Sequence, residues 1–86
     1  MIIKLKDVNE YKEDELSILE DAEGIEVEVV PGSVYGTLLY TITFDPLDVT
    51  YSMRIQGRDV ILEFVTEDMI TSVELDVNDL SEVSVL

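Results

Sequence analysis

The chain has no cysteine and no histidine, and only five lysines and arginines stand against twenty aspartates and glutamates. Without cysteine there is no disulfide framework and no thiolate, so 86 residues must hold together by packing alone. Without histidine the usual general base at neutral pH is missing. The Ser-His and Cys-His nucleophile pairs and the common zinc and haem ligands go with it. No window approaches the 18 or more apolar residues of a membrane span, and the opening Met1-Ile2-Ile3-Lys4-Leu5-Lys6 is too short and too interrupted by lysine for a secretory leader. These absences describe a soluble, cytoplasmic chain forming one domain over residues 1–86, with no cofactor. The scarcity of bases disfavours direct contact with nucleic acid or anionic membrane.

What is present is an unusual pairing: 47% hydrophobic residues with a formal net charge of −15. Disordered acidic tails lack the apolar content to fold, so the composition describes a folded, strongly anionic domain. The charge is uneven. Residues 7–28 carry ten carboxylates against Lys12 alone, residues 29–58 are neutral, and residues 59–86 carry eight carboxylates and no base. A folded chain of this size exposes about 5,100 Å², and charges spread evenly over it would sit roughly 18 Å apart, beyond the ~8 Å Debye length of physiological salt. Only clustering creates a strong local field, so the two acidic blocks matter if the fold brings them together.

From Gly24 onward the apolar residues alternate with period two. Ile25, Val27 and Val29 oppose Glu26 and Glu28 until Pro31-Gly32-Ser33 ends the run. Residues 35–44 place Leu38, Tyr40, Ile42 and Phe44 on one side and mostly threonine on the other, and Asp45-Pro46-Leu47-Asp48 supplies a type I turn. Val49, Tyr51, Met53 and Ile55 then face Val60, Leu62 and Phe64 across Gly57-Arg58, a type II′ hairpin signal. Its register pairs Gln56 with Asp59, Ile55 with Val60, Met53 with Leu62 and Tyr51 with Phe64. Val73, Leu75 and Val77 form a further inward set, Asn78-Asp79-Leu80-Ser81 a turn, and Val83 and Val85 a short last strand. The fold class is therefore β-rich: a small antiparallel meander of about five to six strands, sandwich-like or a partly open barrel. Ile61 and Val65, on the outward side of the hairpin, call for a cover from a helix, a second layer or a partner.

Residues 10–22 admit two readings. Asn9 as a cap, Gly24 beyond the end, and Tyr11, Ile18, Leu19 and Ala22 near one stripe describe a short helix; Leu16–Glu20 as a strand is the competitor. The helix-forming residues favour the helix, which makes the fold α+β.

Function follows from what the residues permit. A pair of carboxylates can do acid/base work, but it needs a cleft that so small a meander has little volume to form, so the chain is expected to be non-enzymatic. The run from Asp76 to Glu82 imitates a calcium loop but has Leu80 at the fifth position, Ser81 where glycine is required, and no twelfth-position glutamate; a solvated turn is the reading, with no metal site. Tyr40 and Tyr51 fall in phase with the core, whereas Tyr11 and Tyr35 are open to partner contact. Alternate residues on a strand face lie about 6.6–6.8 Å apart, so Glu26 with Glu28, and Glu74 with Asp76, present carboxylates at a spacing comparable to successive backbone phosphates. The expected function is binding to a basic, nucleic-acid-handling protein by imitation of nucleic acid, a general design also used by small phage-encoded inhibitors, through Glu26, Glu28, Glu63, Glu67, Asp68, Glu74, Asp76 and Asp79. The alternative is a structural or assembly module, of the kind found among small phage and bacterial proteins, that forms a homodimer through apolar sheet faces involving Leu39, Ile61, Val65 and the terminal Val83, Val85 and Leu86.

Overall fold

The computed structural model describes residues 1–67 and 69–85. Seven strands form two antiparallel sheets: β1 (Ile2–Asn9), β2 (Ile25–Pro31), β3 (Thr37–Phe44), β4 (Thr50–Gln56), β5 (Asp59–Val65), β6 (Ile70–Asp76) and β7 (Leu80–Ser84). Sheet A has the order β2-β3-β1-β7 and sheet B the order β4-β5-β6. Sheet B is a meander of two consecutive hairpins. In sheet A, only β2 and β3 are consecutive neighbours, and the chain's two ends meet at its centre and edge.

The strand that the alternation from Gly24 onward leaves unassigned is β1, flanked by β3 and β7. Its Ile3, Leu5 and Val8 are buried, a spacing of two and then three residues. The extra residue is a bulge: the register to β3 shifts between Leu5 and Val8, and Asp7 sits at a φ of 53°. Aspartate tolerates this left-handed conformation, and here its carboxylate fixes the neighbouring loop. Asp7 Oδ1 accepts from the Ser33 amide at 3.0 Å and from Ser33 Oγ at 2.8 Å, with Thr37 Oγ1 at 3.2 Å. The same loop passes so close to β3 that a Cβ on Gly32 would collide with Thr37 Oγ1 and lie 3.0 Å from the Thr37 backbone.

The inward faces of both sheets share one core. Ile3, Leu5, Tyr40, Ile42 and Phe44 from sheet A meet Val60, Leu62, Phe64, Val73 and Leu75 from sheet B. Phe44 makes edge-to-face contacts with Tyr51 and Phe64, at centroid distances of 5.2 and 5.4 Å. The total exposed surface, 5388 Å², lies near that expected of a compact chain of this mass.

The hairpin register is the one the alternation dictates, from Gln56 opposite Asp59 to Tyr51 opposite Phe64. Gly57 has a φ of 63° while Arg58 stays at negative φ, as a type II′ turn requires. Ile55 departs from its expected burial. It keeps the orientation of Tyr51 and Met53 but is 61% exposed, because the hairpin tip projects past the core. Asp45-Pro46-Leu47-Asp48 forms its turn, with the Asp48 amide donating to the Asp45 carbonyl at 3.0 Å and the Leu47 amide to Asp45 Oδ1 at 2.9 Å. The later turn begins earlier than Asn78: residues Val77–Asp79 make one 3₁₀ turn, started by Asp76 Oδ1 accepting from the Asn78 amide. Ile61 and Val65 stay half-exposed on the outer face of sheet B, where neither a helix nor a further layer covers them among the described residues.

Candidate acidic binding surface

Between β1 and β2 the chain is helical through residues 10–21: a 3₁₀ turn (Glu10–Lys12), α1 (Glu13–Leu16) and a second 3₁₀ turn (Ser17–Asp21). Its buried residues are Leu16 and Leu19, and Ala22 just past its end continues the spacing of three. That spacing lines up on one side of a helix with three residues per turn, which is why the segment is wound as 3₁₀ at its end and why the four-residue stripe read from Tyr11, Ile18, Leu19 and Ala22 does not form. Tyr11 is 72% and Ile18 49% exposed. Asn9 flanks the first turn, but its side chain caps nothing.

With these three apolar anchors inward, every carboxylate of the segment is turned outward: Glu10, Glu13, Asp14, Glu15, Glu20 and Asp21 are all exposed, as is Glu23 just beyond. Both ends are tied to sheet edges. The second 3₁₀ turn lies against β2, and the Ile25 amide donates to the Ala22 carbonyl at 3.3 Å. At the other end Lys12 Nζ donates to the Glu74 carbonyl on the edge of β6 at 3.1 Å, with Glu15 Oε2 at 3.7 Å. The segment therefore joins the acidic edge of sheet A, with Glu26 and Glu28, to the acidic end of sheet B.

Around that second junction Asn9, Tyr11, Lys12, Asp59, Glu74, Asp76 and Asp79 line an open cavity of about 460 Å³. Asp59 and Asp76 are direct cross-strand partners, a like-charge arrangement relieved by Arg58, whose Nη2 lies 3.5 Å from Asp76 Oδ2. Burial and then the neighbouring charges of Asp76 and Asp7 push the Asp79 carboxyl above the usual aspartate value, partly offset by a backbone hydrogen bond and by Lys12. Glu13 and Glu20 also act through the core: burial first, and then these two charges, raise the pKa of Tyr40, whose hydroxyl is buried without a hydrogen-bond partner. Among the described residues no group of carboxylates is arranged to hold a metal ion, and no helix is long and apolar enough to cross a membrane.

The structure brings together some of the residues marked by the alternation and separates others. Glu74, Asp76 and Asp79 converge at the cavity. Glu26 and Glu28 lie side by side on the outer face of sheet A, which points away from the outer face of sheet B carrying Glu63 and Glu74. On sheet A the row runs Glu28, Thr41, Lys4, Glu82, and Lys4 pairs with Glu82 at 3.4 Å, so that face is not uniformly acidic. Glu67 lies at the opposite end of the sandwich, beside Asp48 and Glu23. Asp68 and Leu86 lie outside the described residues. The densest acidic surface, residues 10–23, is invisible to period-two alternation because it is not a strand; the charge run over residues 7–28 is the signal that finds it. Comparison with protein-family models, curated proteins and solved structures finds no match to this chain.

Proposed function

We propose that the chain is a non-enzymatic, cytoplasmic binding module whose acidic surface takes the place of nucleic acid in the basic site of a partner protein. One observation carries this reading: the helical segment spans from one sheet edge to the other while turning all six of its carboxylates to solvent, so that they lie between Glu26 and Glu28 on sheet A and Asp59, Glu74, Asp76 and Asp79 at the end of sheet B. Clustering of this kind sums into a field where evenly spread charge would be screened, and it steers a basic partner into fast, salt-sensitive association. The test is capture from a cell lysate on the immobilised chain at physiological salt, followed by elution with duplex DNA or RNA. Release of nucleic-acid-handling proteins by the competitor supports the reading; retention that nucleic acid leaves untouched refutes it.

A second reading, an assembly module that self-associates through a sheet face, is supported by Ile61 and Val65, half-exposed beside Ile70, which is 72% exposed. Sedimentation of Ile61→Lys against the parent chain tests it: association lost in the variant favours this reading, and unchanged association removes it.

A further inference from the structure

The four sheet edges are not equally protected. The β2 edge carries Glu26, Glu28 and Pro31 and lies against the helical segment. The β6 edge has its Glu74 carbonyl occupied by Lys12. The β7 edge is five residues long and breaks register against β1. The β4 edge has none of these devices: seven residues in unbroken register with β5, without proline, glycine, lysine or any acid, and with Arg54 as its one charge. Among the described residues no backbone or side-chain hydrogen bond reaches the free side of β4. A long, regular edge with a single charge is a template for another strand.

The geometry points to a homodimer in which β4 pairs antiparallel with β4 of a second copy, about a two-fold axis at Met53. Three features argue for a second copy. The first is the hydrogen-bond phase. A two-residue hairpin makes Gln56 and Asp59 a hydrogen-bonded pair, so Arg54, Ser52 and Thr50 spend their backbone groups on β5, and Tyr51, Met53 and Ile55 direct theirs to the free edge. Centring on Met53 pairs Met53 with its own copy and Tyr51 with Ile55, satisfying all three residues with about six inter-chain bonds. A centre at Tyr51 or Ile55 wastes part of the strand.

The second feature is the exposed Ile55. In this register it lies beside Tyr51 of the second copy on the same face, which covers an isoleucine that the monomer leaves 61% exposed. The third is charge. A chain of net charge −15 repels itself almost everywhere, yet residues 49–58 carry no acid at all. Across the join Arg54 stands in a row with Ser52 and then Glu63 of the second copy, two strand spacings or about 9.6 Å away, within the combined reach of the two side chains. The join is isologous and closes on itself. It also leaves the acidic surface free, since β4 is the edge of sheet B opposite β6.

Sedimentation over a wide concentration range tests the proposal. The chain is expected to dimerise, and more tightly as NaCl rises from about 0.05 to about 0.5 M, because salt screens the repulsion of two polyanions. Ile55→Lys, at an exposed position that the fold does not need, should weaken association at least about tenfold. Met53→Pro should act in the same direction, since the amide it removes faces the free edge rather than β5. In this cysteine-free chain Met53→Cys should cross-link rapidly on oxidation, its Cα atoms meeting at about 5.5 Å, whereas Gln56→Cys, roughly 20 Å from its copy, should not. A chain that stays monomeric at millimolar concentration and high salt overturns the proposal. So does association abolished by Ile61→Lys but untouched by Ile55→Lys, or equal cross-linking at positions 53 and 56.

Discussion

Sheets A and B share one core but are assembled differently. Sheet B is two hairpins in series, each strand paired to the next in unbroken register. Sheet A is held by pairings that join residues 2–9 to residues 37–43 and 80–84, with a register shift on each side of β1. The first design depends on turn chemistry that any short window contains. The second depends on a bulge, a loop fastened by Asp7 and a close backbone approach at Gly32, none of which repeats with a period. The proposed roles do not divide so cleanly: the regular sheet offers a bare edge at β4, while the acidic surface runs from the helical segment onto the β6 edge of that same sheet.

If the sheets form one cooperative unit in spite of this difference, truncating either inner face should unfold both. Leu5→Ala in β1 and Leu62→Ala in β5, each 1% exposed, should each cost about 2–5 kcal/mol and lower a single unfolding transition. Two separate transitions in denaturant would divide the molecule at the sheets. A smaller and more local contrast is Gly32→Ala against Gly57→Ala. At Gly32 the new methyl meets Thr37 side chain and backbone, costing about 1–3 kcal/mol. At Gly57 it meets open space, and the cost is about 1 kcal/mol from the positive φ alone. Equal losses would remove the argument for close approach in sheet A.

Tyr40→Phe should be neutral or stabilise by up to about 1 kcal/mol, because the hydroxyl it removes has no partner. A clear loss of stability would reveal a bond from that hydroxyl. Asp7 predicts a pH dependence of stability that originates in the bulge of β1. Chiefly its hydrogen bond from the Ser33 side chain holds its folded pKa below 3.8, so its stabilising contribution is complete above that value and is lost as pH falls through the lower, folded one. The stability difference between Asp7→Ala and the parent chain, measured by chemical denaturation, should therefore be largest at neutral pH and shrink as pH falls below 3.8. A constant difference across that range would assign the loss to the backbone of the bulge instead.

Legibility in the sequence follows this division. The β4–β5 register was readable because each inward position from Tyr51 to Phe64 is apolar in one alignment only. The role of β1 was not, since the bulge at Asp7 turns Ile3, Leu5 and Val8 into a non-periodic set. The helix over residues 10–21 was readable in kind but not in its buried face, because three-residue spacing looks irregular against a 3.6-residue template. Of the acidic residues, the strand pairs Glu26–Glu28 and Glu74–Asp76 were found by alternation. Their arrangement on opposite outer faces, linked through Lys12 and the helical segment, depends on contacts more than 60 residues apart in the chain, such as Lys12 with Glu74.

The central claim, that the helical segment rather than acidity in general recognises the partner, is tested most directly by association kinetics with a nucleic-acid-handling protein recovered by DNA elution. Glu13→Lys with Glu20→Lys reverses two exposed charges on the segment, and Asp48→Lys with Glu82→Lys makes the same change of net charge at exposed positions elsewhere. The account predicts association slowed by about tenfold or more for the first pair at low salt, less than about threefold for the second, and a difference that shrinks as salt rises. Equal slowing by both pairs, or by neither, would contradict it.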